Sequence, residues 1–430
     1  MENKRLNNMK KEYYRIINDN EKLKGKVQLS GAKNSALKLL SAAPLATKEV
    51  VYTNMPLEMI DIQIKMKMLT DIGAIIKRIN SNTISIKWKD GCPDWEVPSK
   101  YGSVRTSLLL LGSLCSRIGK AKVPLPSGCQ IGKRGYDLHI MALRKLGIKI
   151  IRKKNFLIGK KIANKNANIE FPITTTGGTE NAILSSVINK GSTIITCAHT
   201  RPEVRDLINC LNKMGAEINI IGSGVIEING VKFLNGTHHK VIYDNIEAMT
   251  FVACAVVTKS KISIINFPWD DLEIPIIYLK EIGVKFKKTG KEVLVDATAK
   301  KFGSFNISTG IYPGINSDMQ PLFAIMANVC NGNSHIIDNR FENRFNYIKE
   351  LNKLGLNTTI IKNKLFVKCN SKLVGCRVRA TDIRGGVALV IAALTAKGET
   401  IITNIKQIKR GYENFSEKLK KINININKLQ

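Results

Sequence analysis

The sequence predicts an α/β protein of two domains, each built from three βαβαβ-type repeats. A chain of 430 residues exceeds what one ordinary core organises, so two domains of roughly 200 residues each are expected. One local pattern returns six times at a spacing of about 70 residues: an apolar-periodic helix ends in Leu/Met-x-x-Leu/Ile/Met-Gly and runs at once into an alternating strand. Each repeat also carries a second, more apolar helix upstream of the first. The spacing is longer than the usual solenoid periods of about 20 to 50 residues.

In chain order the helix ends lie at 69–73, 143–147, 211–215, 279–283 and 351–355, and at 419–423 with asparagine in the glycine position. That final residue sits where a helix C-cap needs a left-handed backbone. The apolar helices begin near Asn34, Thr106, Thr179, Ile246, Met319 and Ile383, and lead into turns and strands such as 191–195 and 398–402. Segments 108–114 and 387–393 are apolar nearly all round and must be buried on all sides, so single repeats cannot stand alone. Three repeats up to about residue 240 share one core, and three more share another. The strand-like segment 13–17, cut off from the first repeat by polar residues 18–21, is assigned to the C-terminal half. The expected organisation is a disordered extension at 1–12, a first domain at 22–240, and a second at 13–21 plus 241–430.

A hydrophobic content of 44% with 23% charged residues is that of a globular chain. Residues 1–20 are polar and lysine-rich without the apolar core of a signal peptide, and no apolar run reaches spanning length. The expectation is a cytoplasmic protein with no membrane partner. Nine cysteines, without a CxxC pair or Cys/His spacing, argue against a disulfide framework and structural zinc. No metal and no cofactor is expected. The net charge of +33 comes from lysines spread over the whole chain, with aromatics at 6%. A drift toward Lys, Asn and Ile accounts for it better than a nucleic-acid partner, which would leave a clustered footprint. Anionic small substrates fit the charge better.

The residues with chemical potential collect at helix starts. Cys129 lies on a glycine-broken loop with Lys133 and Arg134, just before a helix, where positive charge favours the thiolate. That makes it a candidate acid, base or nucleophile, although a cysteine is more commonly a small buried apolar residue. Lys33 stands in a small-residue turn that opens a helix, a place that attracts phosphate or carboxylate; a solvated lysine satisfies the same pattern. Arg105 precedes the second apolar helix. Thr174, Thr175, Thr176 and Gly177 form a hydroxyl and glycine turn suited to phosphate or diphosphate. Asp318 begins a helix, as an acid or as an ordinary N-cap. Arg340 and Arg344 follow, and Arg384 and Arg410 stand beside glycines, suited to bidentate anion binding. A cleft between two domains, closing on a polyanionic substrate, would assemble this set.

On these residues the chain resembles the UDP-N-acetylglucosamine enolpyruvyl transferases of the EPSP synthase superfamily. The resemblance covers nearly all of it from about Lys22. It is carried by Ser30-Gly31-Ala32-Lys33-Asn34, Pro126-Ser127-Gly128-Cys129 with Ile131-Gly132, Asp318-Met319-Gln320, Phe341-Glu342-Asn343-Arg344-Phe345 and Arg410-Gly411-Tyr412-Glu413. It implies two inside-out α/β domains of three repeats each, and transfer of enolpyruvate from phosphoenolpyruvate to the sugar 3′-hydroxyl in peptidoglycan synthesis. It implies Cys129 as the general acid that meets phosphoenolpyruvate and can also add to its C2, Asp318 as the residue that binds the sugar 3′-hydroxyl and accepts its proton, and Lys33 and Arg410 as catalytic cations. Lys33, Arg134 and Arg410, supported by Asn34 and Arg384, would hold phosphoenolpyruvate. Arg105, the segment Arg134, Gly135, Tyr136, Asp137 and Leu138, the turn from Thr174 to Gly177, and Arg340 would hold the nucleotide sugar.

The chain departs from the family pattern at Ser127, Gly135, Asn245, Asn316, and Met59 with Ile60, each a place where substrate positioning could weaken. Two other readings compete. The sister transfer to shikimate 3-phosphate shares the fold but lacks a Pro-x-Gly-Cys loop. A basic RNA-binding or scaffold protein would keep the fold without the chemistry.

Overall fold

The computed structural model describes residues 12–19, 21–102, 104–126 and 135–430. These fall into two compact units, one of residues 12–29 and 244–430, the other of residues 30–126 and 135–243. Of the extension expected at 1–12, residues 1–11 lie outside the described residues, while Glu12 pairs with Lys409 and, at 2.7 Å, with Lys428, so it belongs to the unit of residues 244–430.

One sheet plan recurs through both units. In the first repeat Val50–Thr53 pairs antiparallel with Thr83–Trp88, which pairs antiparallel with Ala74–Asn80, while His238–Lys240 joins its other edge in parallel. The third repeat has the same order, Ala167–Thr175, Ser192–Ala198, Val225–Asn229, Glu217–Gly222. The second has three strands, Lys120–Pro124, Phe156–Lys161 and Ile148–Lys153, and a single parallel bridge from Glu96 to Lys122 stands in for the fourth. In the other unit Lys26–Gln28 and Asn306–Ser308 are the parallel strands of two such sheets. In the sixth repeat Arg377–Arg379 pairs in parallel with Glu399–Thr403, and Tyr13–Ile17 lies antiparallel between Glu399–Thr403 and Ile426–Leu429. The N-terminal strand thus takes the place that a hairpin's return strand has elsewhere.

Two expectations are corrected. Five of the repeats end in a two-stranded hairpin rather than one strand. The strand directly after the helix is the exposed edge, as in Ala74–Asn80, and the return strand Thr83–Trp88 carries most of the buried positions. The domain boundary falls at 29/30 rather than 21/22, because Lys26–Gln28, with Val27 fully buried, pairs with Lys261–Ile265. The helix C-caps follow the pattern: Gly73, Gly147, Gly215, Gly283, Gly355 and Asn423 all have φ between 67° and 108°.

The apolar helices form the centre of each unit. Ser107–Ile118 packs on Lys33–Ala42 and Thr176–Ser186; in the other unit Asn245–Val257, Gln320–Met326 and Ile383–Ala393 pack on one another. Every residue of Asn245–Val257 is buried. Close approach is specified at Gly112, where a Cβ would fall 2.1 Å from Asn181 Oδ1. Among the described residues no helix is long and apolar enough to cross a membrane.

Candidate functional site

In the unit of residues 30–243 the candidate residues gather at the starts of its buried helices. Lys33 opens Lys33–Ala42, whose cap residue Ala32 offers no side-chain acceptor. Its ammonium pairs at 2.8 Å with Asp61, on the helix Ile60–Asp71, and both side chains are only 9% exposed. The counter-charge offsets the cost of taking the ammonium out of water. Asn34, next in the helix, is half-buried.

Arg105 donates to the Gly135 carbonyl at 2.6 Å. Asp137 and Leu138 then begin the helix Asp137–Lys145, with Tyr136 at its cap. This helix packs on Thr176–Ser186 through the buried His139. Asn181 Nδ2 donates to the Leu108 carbonyl at 3.0 Å and lies 3.2 Å from His139 Nδ1, which is therefore the accepting nitrogen. Burial, helped by the nearby Arg105 charge, pushes His139 down to about 3, so the ring is neutral. A Cβ at Gly177 would fall 2.6 Å from His139 Nε2, so this turn needs glycine. Thr175 caps the helix by accepting from the Gly178 amide, and Thr176 Oγ1 lies 2.7 Å from His199 Nδ1. Thr174 precedes them in the strand Ala167–Thr175. Arg105, residues 135–138 and residues 174–177 are thus brought together.

In the unit of residues 244–430, Asp318 precedes the helix Gln320–Met326 and faces two guanidiniums. Arg344 Nη2 is 3.2 Å from Oδ1, and Arg384 Nε is 3.4 Å from Oδ2. The cap of that helix is Met319, without a side-chain cap bond, so Asp318 is not an ordinary N-cap. Arg344 is buried, donates through Nε to the Ser317 carbonyl at 3.0 Å, and reaches Asp382 at 3.6 Å. Asp382 in turn caps Ile383–Ala393 by accepting from the amides of Arg384 and Gly385. The Arg384 guanidinium lies 5.2 Å from the centre of the Tyr412 ring. Burial works against its charge, but Tyr412, Asp318 and Asp244 outweigh that and raise its pKa above the ordinary arginine value. Arg410, half-buried, donates to Gln407 Oε1 at 3.0 Å, and a Cβ at the next residue, Gly411, would fall 3.7 Å from Arg384 Nη1. Arg340 has an exposed side chain; its amide donates to Asp338, which also accepts from Ser317 at 2.6 Å.

Cys129 and Arg134 lie outside the described residues. Asp61, His139 and Asp382 were not read as site residues from the sequence, nor was a role for Arg344. For Asp61 the available clue was an acid in a first helical turn, which ordinarily reads as a dipole partner. Among the described residues no group of three His, Cys, Asp or Glu side chains is placed to hold a metal ion.

Residues 17–419 match the family model EPSP synthase (3-phosphoshikimate 1-carboxyvinyltransferase). A UDP-N-acetylglucosamine 1-carboxyvinyltransferase 1 from Legionella pneumophila (strain Lens) is 38% identical over 94% of this chain and 80% of that protein. The UDP-N-acetylglucosamine 1-carboxyvinyltransferase of Wolbachia pipientis wMel is 38% identical over 94% of this chain and 96% of its own. This chain belongs to the UDP-N-acetylglucosamine 1-carboxyvinyltransferase family. Solved structures agree on the fold of this carboxyvinyltransferase. The enolpyruvyl transferase NikO from Streptomyces tendae superposes with a TM-score of 0.87 at 23% identity, covering 97% of this chain and 99% of that one. An EPSP synthase from Acinetobacter baumannii gives 0.73 at 16% identity, covering 97% and 100%. One departure from the family pattern has local compensation. Asn316 Oδ1 accepts from the Asp318 amide at 3.0 Å and so shapes the turn itself. Asn245 is buried in the first turn of Asn245–Val257, under the Asp244 cap.

Proposed function

We propose that this chain transfers the enolpyruvyl group of phosphoenolpyruvate to the 3′-hydroxyl of UDP-N-acetylglucosamine, releasing phosphate, in the first committed step of peptidoglycan synthesis. The observation that carries this reading is identity of 35–38% with relatives of that name over 94–95% of the chain. Phosphoenolpyruvate does not react with an alcohol until a proton reaches its C3 and makes C2 electrophilic. Cys129 would supply that proton, and its thiolate can add to C2. The sugar hydroxyl then adds to C2 while Asp318 takes its proton, and loss of phosphate with a C3 proton restores the double bond. Arg344 and Arg384, one on each oxygen, aim the Asp318 carboxylate. Lys33, Asn34, Arg134 and Arg410, supported by Arg384, would hold the phosphate and carboxylate and offset the charge that develops there. Arg105, residues 134–138, residues 174–177 and Arg340 would hold the nucleotide sugar. Reaction in the cytoplasm fits the eight unpaired cysteines among the described residues.

The test is phosphate release from phosphoenolpyruvate with and without UDP-N-acetylglucosamine, and with shikimate 3-phosphate in its place. Release that requires the sugar nucleotide is expected. Release with shikimate 3-phosphate alone, or none from a folded protein, overturns the reading.

A further inference from the structure

The helix Ile60–Asp71 buries one face, made at helical spacing by Asp61, Ile62, Lys65, Met68 and Leu69. Lys65 is the anomaly in that stripe. It is 0% exposed, and burial alone pushes its ammonium down to about 7, with no carboxylate among the described residues offsetting the cost. Asp61, one turn earlier, is engaged with Lys33.

Lys65 Nζ donates to the Thr106 carbonyl at 3.0 Å. Thr106 follows Arg105 and caps the helix Ser107–Ile118, which has no side-chain cap bond. Among the described residues the buried hydroxyls of Thr106 and Ser107 have no partner, so neither supplies one. The cap carbonyl is shared between Lys65 and the Leu109 amide, the latter at 3.2 Å. A cation gains nothing electrostatically at the positive end of a helix, and an apolar side chain would fill the stripe more cheaply. What the position retains is the hydrogen bond, which the amine donates in either protonation state.

We propose that Lys65 is a positioning residue for the nucleotide-sugar site, fixing the turn from which Arg105 reaches the Gly135 carbonyl and the bound nucleotide. One buried helical face then holds Lys33 through Asp61 and the Arg105 turn through Lys65, and sets the spacing between them. The proposal rests on the enolpyruvyl-transfer reading above.

The test compares the intact protein with Lys65→Met and Lys65→Gln, by calorimetric titration with UDP-N-acetylglucosamine and by steady-state kinetics. Lys65→Met is expected to weaken UDP-N-acetylglucosamine binding and raise its KM about three- to tenfold, the range for one lost hydrogen bond. KM for phosphoenolpyruvate and kcat stay at wild-type values, and Lys65→Gln, which keeps a donor, recovers part of the loss. In an Arg105→Ala background neither substitution weakens binding further, because Lys65 acts through Arg105. Unchanged binding, a loss spread equally over kcat and both KM values, or full additivity with Arg105→Ala overturns the proposal. If Lys65→Met does not fold, Lys65→Gln and its cycle with Arg105→Ala decide alone. A wild-type protein that binds no UDP-N-acetylglucosamine overturns the parent reading with this one; wild-type binding matched by both variants overturns only this one.

Discussion

Asp318 meets two arginines that are buried, and its carboxylate has little freedom to turn. Asp318→Asn keeps the shape and one acceptor oxygen but removes the base. We expect both substrates to bind with near wild-type affinity by calorimetry while turnover falls by about 10²–10⁴; near-normal turnover would remove Asp318 from the mechanism. Cysteine chemistry divides equally sharply. Burial pushes Cys115, Cys210, Cys254 and Cys330 up to about 12, so they stay protonated and inert at neutral pH. Cys129, with Lys133 and Arg134 close in sequence, should alkylate with a midpoint below the ordinary thiol value of about 8.5. Peptide mapping after iodoacetamide treatment across a pH series checks this, and a Cys129 that labels no faster than Cys92 or Cys197 contradicts it. At this scale the sequence displayed the charged residues beside glycines and at helix starts, because those positions have a local reason. It hid their partners, because Lys33 meets Asp61, and Asp318 meets an arginine 66 residues on, only after folding.

The helix Ile60–Asp71 shows what a buried charge does to an element. Lys65 is held below its ordinary lysine value, so the unfolded chain binds more protons than the folded one between about pH 7 and pH 10. Its cost to stability is therefore full below pH 7 and shrinks as pH rises through that window. Lys65→Met should raise the melting temperature most at pH 6 and progressively less toward pH 10, as read by scanning calorimetry in matched buffers. A constant gap would mean that Lys65 does not titrate there. The element pattern explains the missed hairpins as well. Alternation is a sign of one buried face, and the strand that leaves each helix is an edge with little to bury, so strand and return merge into one weak signal. Helix ends were legible because a left-handed cap accepts few residue types.

For the molecule as a whole, six repeats of one plan make two units, and the N-terminal strand completes the sixth. Tyr14 and Ile16 of that strand are 2% and 1% exposed, so Ile16→Ala should cost about 2–5 kcal/mol, measured by urea unfolding. An unchanged midpoint would show that the strand contributes nothing to the core. The pairing of segment 13–17 was expected from the sequence only as membership of the C-terminal half; its insertion between two strands depends on registers that no local pattern records. That insertion bears on how the protein is made. Tyr14 pairs opposite Ile402 and Lys428. At about 5–20 residues per second the ribosome needs roughly 20 to 80 seconds to deliver those partners after Tyr14 has emerged. Throughout that interval Tyr13–Ile17 waits without its neighbouring strands, and a chain cut short before residue 399 leaves Tyr14 and Ile16 with no sheet to enter.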